Sequence, residues 1–410
     1  MKMKAFITAL AVPVVVLAGG AVKAQTPDKA WLPTWYASPS PSSDATAWIK
    51  DLTIREIVHT TAGGKALRIR LSNAYGTVPL HIDQAFVANR LGGANVSDSV
   101  RLRFAGTDDV TIAPGATVVS DPVEFAVKPE SDLGISLYLA DAVASTGHLQ
   151  QRSAIYFARG NVAADPAITP GEGPKNTWSS WLFLSEVEVS GSHDTGAIVA
   201  FGDSITDGMA IDSDSATSWP DRLYDRLVKD HRPFSVINAG ITGNRLTRPG
   251  QWGPFGDKGL DRFDRDVLAL PNVAATIILI GINDIGQSAR GHYDYVSAED
   301  IEAGLAQLTA RAHTRGLKVY LATLVPFRGA KDDYYTDDKD ALRQAVNAWI
   351  RTNAEIDGFV DFDKALDDPA NTGQMKLEYD SGDHLHPNSK GANAMADAVS
   401  LDRFNAGMVP

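Results

Sequence analysis

Residues 198–206 are Ile-Val-Ala-Phe-Gly-Asp-Ser-Ile-Thr, a short apolar run that passes at once into Gly-Asp-Ser. Consecutive apolar residues bounded by a glycine are typical of a buried strand in a parallel sheet. The glycine permits a tight turn out of the strand, and Ser204 would then stand at the start of a helix. The stretch therefore predicts a strand–turn–helix unit that presents a serine at the edge of a sheet.

The sequence after this unit continues the alternation of strand and helix. Apolar runs and helical periodicity predict strands at 234–237, 274–280, 318–324 and 359–362, and helices at 301–315 and 342–354. Strands separated by helices form parallel, doubly wound sheets with right-handed crossovers. We therefore predict a parallel α/β domain, in which ligands bind beyond the carboxyl ends of the strands.

Further polar motifs lie at the ends of the predicted elements. Gly243, in Asn-Ala-Gly-Ile-Thr-Gly-Asn, follows the second strand, and Asn283, in Gly-Ile-Asn-Asp, follows the third. Asp383 and His386, in Asp-His-Leu-His-Pro, come between the fifth strand and the last helix. Because the carboxyl ends of parallel strands share one edge of the sheet, we expect these residues to meet Ser204 there.

These residue types are the ones that an acyl-transfer site needs. Ser204 would be the nucleophile, His386 the general base, and Asp383 the group that orients the imidazole. The backbone N–H groups of Ser204 and Gly243 and the side-chain amide of Asn283 would donate to the oxyanion. The motifs therefore predict a serine-based acyl-transfer site.

Each motif taken alone has a simpler explanation. Ser204 is suited to cap a helix, Gly243 to form an ordinary turn, and Asn283 to cap the end of a strand. His384 precedes His386 by two residues, so a His-x-His metal pair is an alternative for that segment. The complete set of motifs in a fixed order favours the catalytic interpretation.

The motifs resemble the conserved blocks of the SGNH (GDSL-type) hydrolase superfamily over residues 196–403. The segments that resemble its XynE-like arylesterase/acylhydrolase branch are 240–246, 260–268 and 281–286. The resemblance selects His386 over His384, because the pattern Asp-x-x-His-Pro aligns on the later histidine. It implies a three-layer, flavodoxin-like α/β domain, hydrolysis of carboxylic esters, and no need for a metal or other cofactor.

The rest of the chain has a different composition. Lys2 and Lys4, an apolar stretch and the sequence Val-Lys-Ala at 22–24 predict a signal peptide over residues 1–24, with a membrane anchor as the alternative. Residues 25–192 contain short alternating runs between Gly and Pro turns, which predict an all-β sandwich or jelly roll. Residues 193–410 are expected to form the hydrolase domain.

Charge and cysteine content limit the partners. The formal charge is −12 and becomes −15 without the three lysines of the signal segment, so neither nucleic acid nor an anionic membrane is expected as a partner. The chain has no cysteine, so neither a disulfide nor a lipid-modified cysteine is expected. We predict a protein secreted to the periplasm or the medium, without stable membrane insertion after signal cleavage.

Two predicted loops, 244–266 and 327–339, carry aromatic and polar residues close to the expected site. Such mixed walls suit sugars or aryl esters, and we expect Asn244, Arg245 and Trp252 to contact substrate. With the resemblance, this implies a serine esterase for short-chain acyl esters, above all acetyl esters, of carbohydrate or aryl alcohols, including acetylated polysaccharide. A lysophospholipase or lipase-type hydrolase and a non-catalytic carbohydrate-binding surface protein are the alternatives.

Overall fold

The computed structural model describes most of the chain after residue 29. The described residues are 30–43, 47–149, 154–172, 180–190, 195–211, 216–288, 291–292, 294–331 and 333–408. The predicted signal peptide, residues 1–24, lies outside the described residues, as do residues 191–194 at the predicted boundary between the two regions of the chain.

The N-terminal region is built from strands, as its alternating sequence predicted. The strands are β1 (Trp31–Tyr36), β2 (Ser40–Pro41), β3 (Trp48–His59), β4 (Gly64–Ser72), β5 (Leu80–Ile82), β6 (Gln84–Gly92), β7 (Asn95–Val96), β8 (Val100–Leu102), β9 (Val110–Ile112), β10 (Thr117–Val119), β11 (Val123–Val127), β12 (Asp132–Val143), β13 (Thr146–Leu149), β14 (Ile155–Arg159), β15 (Ser180–Leu182) and β16 (Leu184–Ser190).

Two antiparallel sheets dominate this region. One has the order β1-β16-β4-β10, with β11 also paired to β4, and the other has the order β14-β3-β12-β6-β7, with β8 paired to β6. Leu67 and Ile69 of the first sheet and Ile54 and Leu137 of the second are fully buried in one hydrophobic core. The β-rich character that the sequence predicted for this region is thus confirmed, and its arrangement as a sandwich or jelly roll stays a prediction.

The C-terminal region alternates strands and helices. The strands are β17 (Gly196–Gly202), β18 (Phe234–Gly240), β19 (Val273–Leu279), β20 (Lys318–Ala322) and β21 (Gly358–Val360). The helices are α1 (Ser204–Asp207), α2 (Trp219–Lys229), α3 (Gly259–Phe263), α4 (Ile282–Gly286), α5 (Ala298–His313), α6 (Asp337–Thr352), α7 (Phe362–Leu366) and α8 (Ser389–Ala398). Short 3₁₀ turns lie at Gly253–Phe255, Leu401–Arg403 and Ala406–Met408, and one π-helical turn lies at Asp264–Leu268.

The five strands form one parallel sheet in the order β18-β17-β19-β20-β21. This is the strand order of flavodoxin-like doubly wound sheets, the type of sheet that the family resemblance implied. Helices α2, α7 and α8 pack together, and α3, α4, α5 and α6 form a second group of contacts. The order places the ends of β18, β17 and β19 side by side, so the segments that follow them meet at one edge.

Arg262 of α3 fixes the ends of the first two parallel strands. Its guanidinium is fully buried and donates to the carbonyls of Gly202 and Ala239 at 2.6 and 2.9 Å, and to Asn244 Oδ1 at 2.9 Å. Asp266 accepts from the same guanidinium at 2.9 Å and balances its charge inside the protein. The buried guanidinium thus donates to carbonyls near the ends of both strands, and its own charge is balanced inside the protein.

The two regions share an extensive boundary. Strand β1 of the N-terminal region contacts β18 at the edge of the parallel sheet, and the Tyr36 hydroxyl donates to Asp266 Oδ1 at 2.8 Å. Trp35 and Trp181 pack edge to face with ring centroids 5.0 Å apart, whereas Trp48 is well exposed. Among the described residues, no helix is long and apolar enough to cross a bilayer.

Predicted element boundaries differ from the structure by up to five residues, and the largest difference has a local reason. Helix α6 begins at Asp337, five residues before the predicted start, because the Thr336 side chain accepts from Lys339 N and caps the helix there. Strands β15 and β16, the last two of the β region, are separated at Phe183, which has a φ of 68°. None of the boundary differences moves a predicted site residue.

Candidate active site

Ser204 is the first residue of α1, directly after the turn that leaves β17. The Asp203 side chain caps this short helix by accepting from Ile205 N at 3.1 Å. A Cβ on Gly202 would lie 2.2 Å from Thr206 Oγ1, so only glycine allows this turn to close so tightly. The sequence thus places a buried serine hydroxyl at the strand end.

Ser204, His386 and Asp383 form a continuous hydrogen-bonded chain. Ser204 Oγ lies 2.8 Å from His386 Nε2, and His386 Nδ1 lies 2.6 Å from Asp383 Oδ2. A carboxylate only accepts, so Nδ1 carries the proton and Nε2 presents a lone pair to the serine hydroxyl. This is the tautomer that a general base needs.

The segment that carries Asp383 is rigid because its side chain binds its own backbone. Asp383 Oδ1 accepts from Leu385 N at 2.9 Å and from His386 N at 2.8 Å. Partial burial by itself raises the pKa of the Asp383 carboxyl, but the hydrogen bond and charge of His386, with these amides, hold it well below its usual value. Asp383 therefore remains ionised and fixes the imidazole.

His384 points to a different partner. It has a φ of 62°, and its Nδ1 lies 2.5 Å from Asp380 Oδ2. A Cβ on Gly329 would lie 3.1 Å from the His384 ring, so Gly329 packs against that ring. Among the described residues, no cluster of three or more histidine, aspartate or glutamate side chains is arranged to hold a metal ion.

Two backbone amides of the predicted site have no hydrogen-bond acceptor in the described part of the chain. Gly243 has a φ of 73°, and a Cβ on it would lie 2.4 Å from the Phe255 ring, so the position requires glycine. In the described part of the chain, neither the Gly243 N–H nor the Ser204 N–H donates to another group. Ser204 N–H belongs to the first turn of a helix, where amides have no intrahelical acceptor.

The side-chain amide of Asn283 has its orientation fixed by three neighbours. Its Oδ1 accepts from the Tyr334 hydroxyl at 2.9 Å and from Gln287 Nε2 at 3.0 Å. Its Nδ2 donates to Asn244 O at 3.0 Å, which uses one of its two hydrogens. The second Nδ2 hydrogen remains for an oxyanion.

Residues 200–394 match the model of the GDSL-like lipase/acylhydrolase family, and this span contains every residue of the candidate site. The C-terminal half of the chain is a GDSL-like hydrolase domain. This confirms the family that the motifs indicated, although not its XynE-like branch. The protein is accordingly a carboxylic ester hydrolase.

Solved structures that resemble the chain cover about half of it. A lipase/acylhydrolase from Enterococcus faecalis is 21% identical, with a TM-score of 0.39, and the match covers 53% of this chain and 98% of that one. An acetyl xylan esterase variant from Geobacillus stearothermophilus is 22% identical, with a TM-score of 0.39 and coverage of 52% and 98%. A GDSL-like lipase from Bacteroides thetaiotaomicron is 24% identical, with a TM-score of 0.36 and coverage of 49% and 84%. Among curated proteins, none matches the chain.

Asp284 organises the loop after β18 in this GDSL-like domain. Its carboxylate is fully buried and accepts from Leu246 N at 2.6 Å, Thr247 N at 2.9 Å and Thr247 Oγ1 at 2.6 Å. Burial raises the pKa of the Asp284 carboxyl, and these donors together with the charge of Arg245 oppose the increase. Asp284 thus ties the Asn283 turn to the segment that follows Gly243.

The three predicted substrate contacts have different surroundings. Asn244 is fully buried, and its Nδ2 donates to the carbonyls of Phe255 and Asp257, each at 2.7 Å. Its amide is therefore engaged inside the loop, and a substrate contact by Asn244 stays a prediction. Arg245 is only 3% exposed, whereas Trp252 is 46% exposed and lies edge to face with Phe255 at 5.5 Å. For Arg245 and Trp252, substrate contact stays a prediction.

Sequence reasoning missed the residues that support the site from a distance. Tyr334 was recognised only as a loop aromatic, yet its hydroxyl orients Asn283. Arg262 and His148 were not recognised, although Arg262 binds the strand ends and His148 contacts Asp207 at 3.2 Å. The two partners of each of these hydrogen bonds are separated by more than 50 residues in sequence, so no local sequence pattern indicates the contacts.

Asp203 is a buried carboxylate beside the proposed catalytic residues. Its Oδ1 caps α1, while its Oδ2 has no hydrogen-bond partner in the described part of the chain. Burial raises the pKa of the Asp203 carboxyl to about 7. The hydrogen bond from Ile205 N and the charges of His386 and Arg262 lower the pKa, but they do not outweigh the effect of burial. Asp284 adds to the increase by charge repulsion.

This raised pKa predicts that Asp203 makes the protein less stable as pH rises. The folded state holds the proton up to a pH of about 7, whereas an ordinary aspartate loses it near 3.8, so between these values the folded state binds more protons than the unfolded state. We expect Asp203→Asn, which keeps the helix cap, to remove this loss. The free energy of unfolding in urea should be measured for both proteins. The value for the variant minus the value for the native protein should increase from pH 5 to pH 8. A difference that is constant over this range would contradict the prediction.

Proposed function

We propose that the protein is a secreted serine esterase that hydrolyses short-chain acyl esters, above all acetyl esters, of carbohydrate or aryl alcohols through an acyl-enzyme. The observation that carries this proposal is the chain from Ser204 Oγ through the His386 imidazole to the Asp383 carboxylate, with contacts of 2.8 and 2.6 Å. Such a chain activates a hydroxyl that is otherwise a weak nucleophile.

In the first step, Ser204 Oγ attacks the ester carbonyl carbon while His386 Nε2 takes the hydroxyl proton. Asp383 stabilises the imidazolium that results, because its carboxylate stays ionised and already accepts the hydrogen bond from Nδ1–H. The imidazolium then gives its Nε2 proton to the leaving alcohol. The acyl group remains on Ser204.

The tetrahedral intermediate carries a negative oxygen that needs donors already in place. We assign this role to the Ser204 N–H, the Gly243 N–H and the remaining hydrogen of Asn283 Nδ2. Donors fixed before the reaction cost no reorganisation when the charge develops. In the second half of the reaction, His386 activates a water that releases the acid and restores the serine.

The surroundings of Trp252 support a sugar or aryl ester as substrate. Its ring is 46% exposed and is held edge to face by Phe255, the residue that lies against Gly243. An exposed and fixed aromatic ring beside the acyl site offers a stacking surface for the alcohol part of the ester. The resemblance to XynE-like esterases in the segments after β18 and β19 points to the same class of substrate.

Secretion is proposed from the sequence. Residues 1–24 combine a basic start, an apolar stretch and a small-residue cleavage site. The absence of cysteine and the acidic charge of the remaining chain are compatible with a protein that acts outside the cytoplasm on neutral esters.

Ser204→Ala tests the nucleophile. We expect kcat on p-nitrophenyl acetate to fall by about 10³-fold or more, because the variant cannot form the acyl-enzyme. Mass spectrometry after treatment with a phosphonate ester should show one adduct on Ser204 of the native protein and none on the variant. Unchanged esterase activity in Ser204→Ala would refute the proposed function and favour a non-catalytic binding protein.

Trp252→Ala tests the class of substrate. On an acetylated xylo-oligosaccharide we expect KM to rise roughly fivefold, because a loss of about 1 kcal/mol of stacking energy weakens binding by that factor. On p-nitrophenyl acetate we expect little change in KM. Trp48→Ala is the matched control, since Trp48 is exposed on the β region and should leave both reactions unchanged. A native preference for lysophospholipid or long-chain fatty acyl esters over acetyl esters would contradict the proposed substrate and favour a lipase.

Tyr334→Phe tests whether the orientation of Asn283 matters. The Tyr334 ring is partly buried, and burial raises the pKa of its hydroxyl well above the usual value, so it remains a donor to Asn283 Oδ1. We expect kcat to fall roughly tenfold, less than the hundredfold or more for loss of a donor, with KM little changed. Tyr335→Phe is the control, because its hydroxyl donates to Asp337. Equal effects of the two substitutions would contradict the assignment.

A further inference from the structure

The segment 243–257, which we call the oxyanion loop, has the N-terminal β region on its outer side. Pro41 of β2 lies 3.6 Å from the position that a Cβ on Gly253 would take. Strand β13 also contacts the 3₁₀ turn Gly253–Phe255. The loop therefore packs between the parallel sheet and the β region.

The two ends of the oxyanion loop are coupled to each other. The Phe255 ring lies directly against Gly243, and Asn244 Nδ2 binds the carbonyls of both Phe255 and Asp257 at 2.7 Å. A shift of residues 255–257 would therefore move Gly243. Because the loop is rich in glycine and proline, these contacts are needed to hold its amide in one place.

Tyr75 of the β region holds the far end of this loop. Its hydroxyl donates to Asp257 Oδ2 at 2.6 Å and accepts from Arg265 Nη1 at 3.1 Å. Burial raises the pKa of Tyr75 to about 12, so the hydroxyl remains a donor at neutral pH. Tyr75 is itself fixed, because its backbone N–H donates to Thr146 Oγ1 at 3.0 Å.

His148 of β13 reaches the other side of the site. The ring is buried, with Nδ1 2.8 Å from Ser38 O and Nε2 3.2 Å from Asp207 Oδ1. Asp207 ends helix α1, and its Oδ2 accepts from Thr242 N at 3.1 Å and Thr242 Oγ1 at 2.7 Å. Through Asp207, His148 is connected to the helix that begins with Ser204 and to the residue before Gly243.

We propose that the N-terminal β region positions the oxyanion hole, with Tyr75 acting through Asp257 and His148 acting through Asp207. Neither residue touches the substrate, so both are positioning residues. The proposal rests on the proposed function, since it takes the Ser204 and Gly243 amides to be oxyanion donors. A misplaced donor weakens binding of the transition state more than binding of the ester. Loss of either contact should therefore lower kcat and leave KM nearly unchanged.

The experiment uses the full chain and measures kcat per mole of active site, titrated with p-nitrophenyl diethyl phosphate. We expect Tyr75→Phe and His148→Phe each to lower kcat roughly tenfold, with KM changed less than about twofold. Inhibition by an alkyl boronic acid, whose tetrahedral adduct carries an oxyanion, should weaken in parallel with kcat. Merely structural damage would instead lower the titrated fraction and leave the kcat of the remaining sites intact.

Two matched variants sharpen the result. Tyr138→Phe removes a hydroxyl that donates to Asp51 Oδ1 at 2.9 Å within the β region, and should leave kcat unchanged. Asp257→Asn keeps an acceptor for Tyr75 and should retain most activity, whereas Asp257→Leu should match Tyr75→Phe. Equal kcat for Tyr75→Phe, His148→Phe and the native protein would overturn the proposal. A native protein that hydrolyses no ester would instead refute the proposed function, so the two failures are distinguishable.

Discussion

The buried guanidinium of Arg262 is the constraint on which the site depends. It donates to the carbonyls of Gly202 and Ala239 and to Asn244 Oδ1, while Asp266 compensates its charge. These acceptors lie at the ends of β17 and β18 and at the start of the oxyanion loop. One side chain therefore ties the strand that leads to Ser204, the proposed nucleophile, to the strand that leads to Gly243, a proposed oxyanion donor.

Other parts of the site are held in the same way, by side chains whose hydrogen bonds are used internally. Asp383 binds its own backbone amides, and Asp284 joins the Asn283 turn to the segment after Gly243. Asn283 has its Oδ1 engaged by Tyr334 and Gln287 and one Nδ2 hydrogen engaged by Asn244 O, which leaves the second Nδ2 hydrogen for the proposed oxyanion. The polar groups are thus oriented before substrate arrives, which is how fixed dipoles stabilise a developing charge.

The sequence predicted the elements that end at the site, because each ends in a local motif. Ser204 and Asn283 follow apolar runs, and the Asp-x-x-His spacing of residues 383–386 lets one turn align both side chains. The supporting contacts were beyond sequence reasoning. Tyr75 and Asp257 lie in different regions of the chain, and Asn244 shows no local sign that its amide points into its own loop. These side-chain orientations depend on contacts between segments that are distant in sequence, and residue type alone does not predict such contacts.

A crystal structure of the protein after reaction with an alkyl phosphonate ester would test the central claim most directly. The account predicts phosphorus bonded to Ser204 Oγ, with the phosphoryl oxygen within about 3.1 Å of Ser204 N, Gly243 N and Asn283 Nδ2. A phosphoryl oxygen directed to solvent, or an adduct on another residue, would contradict it.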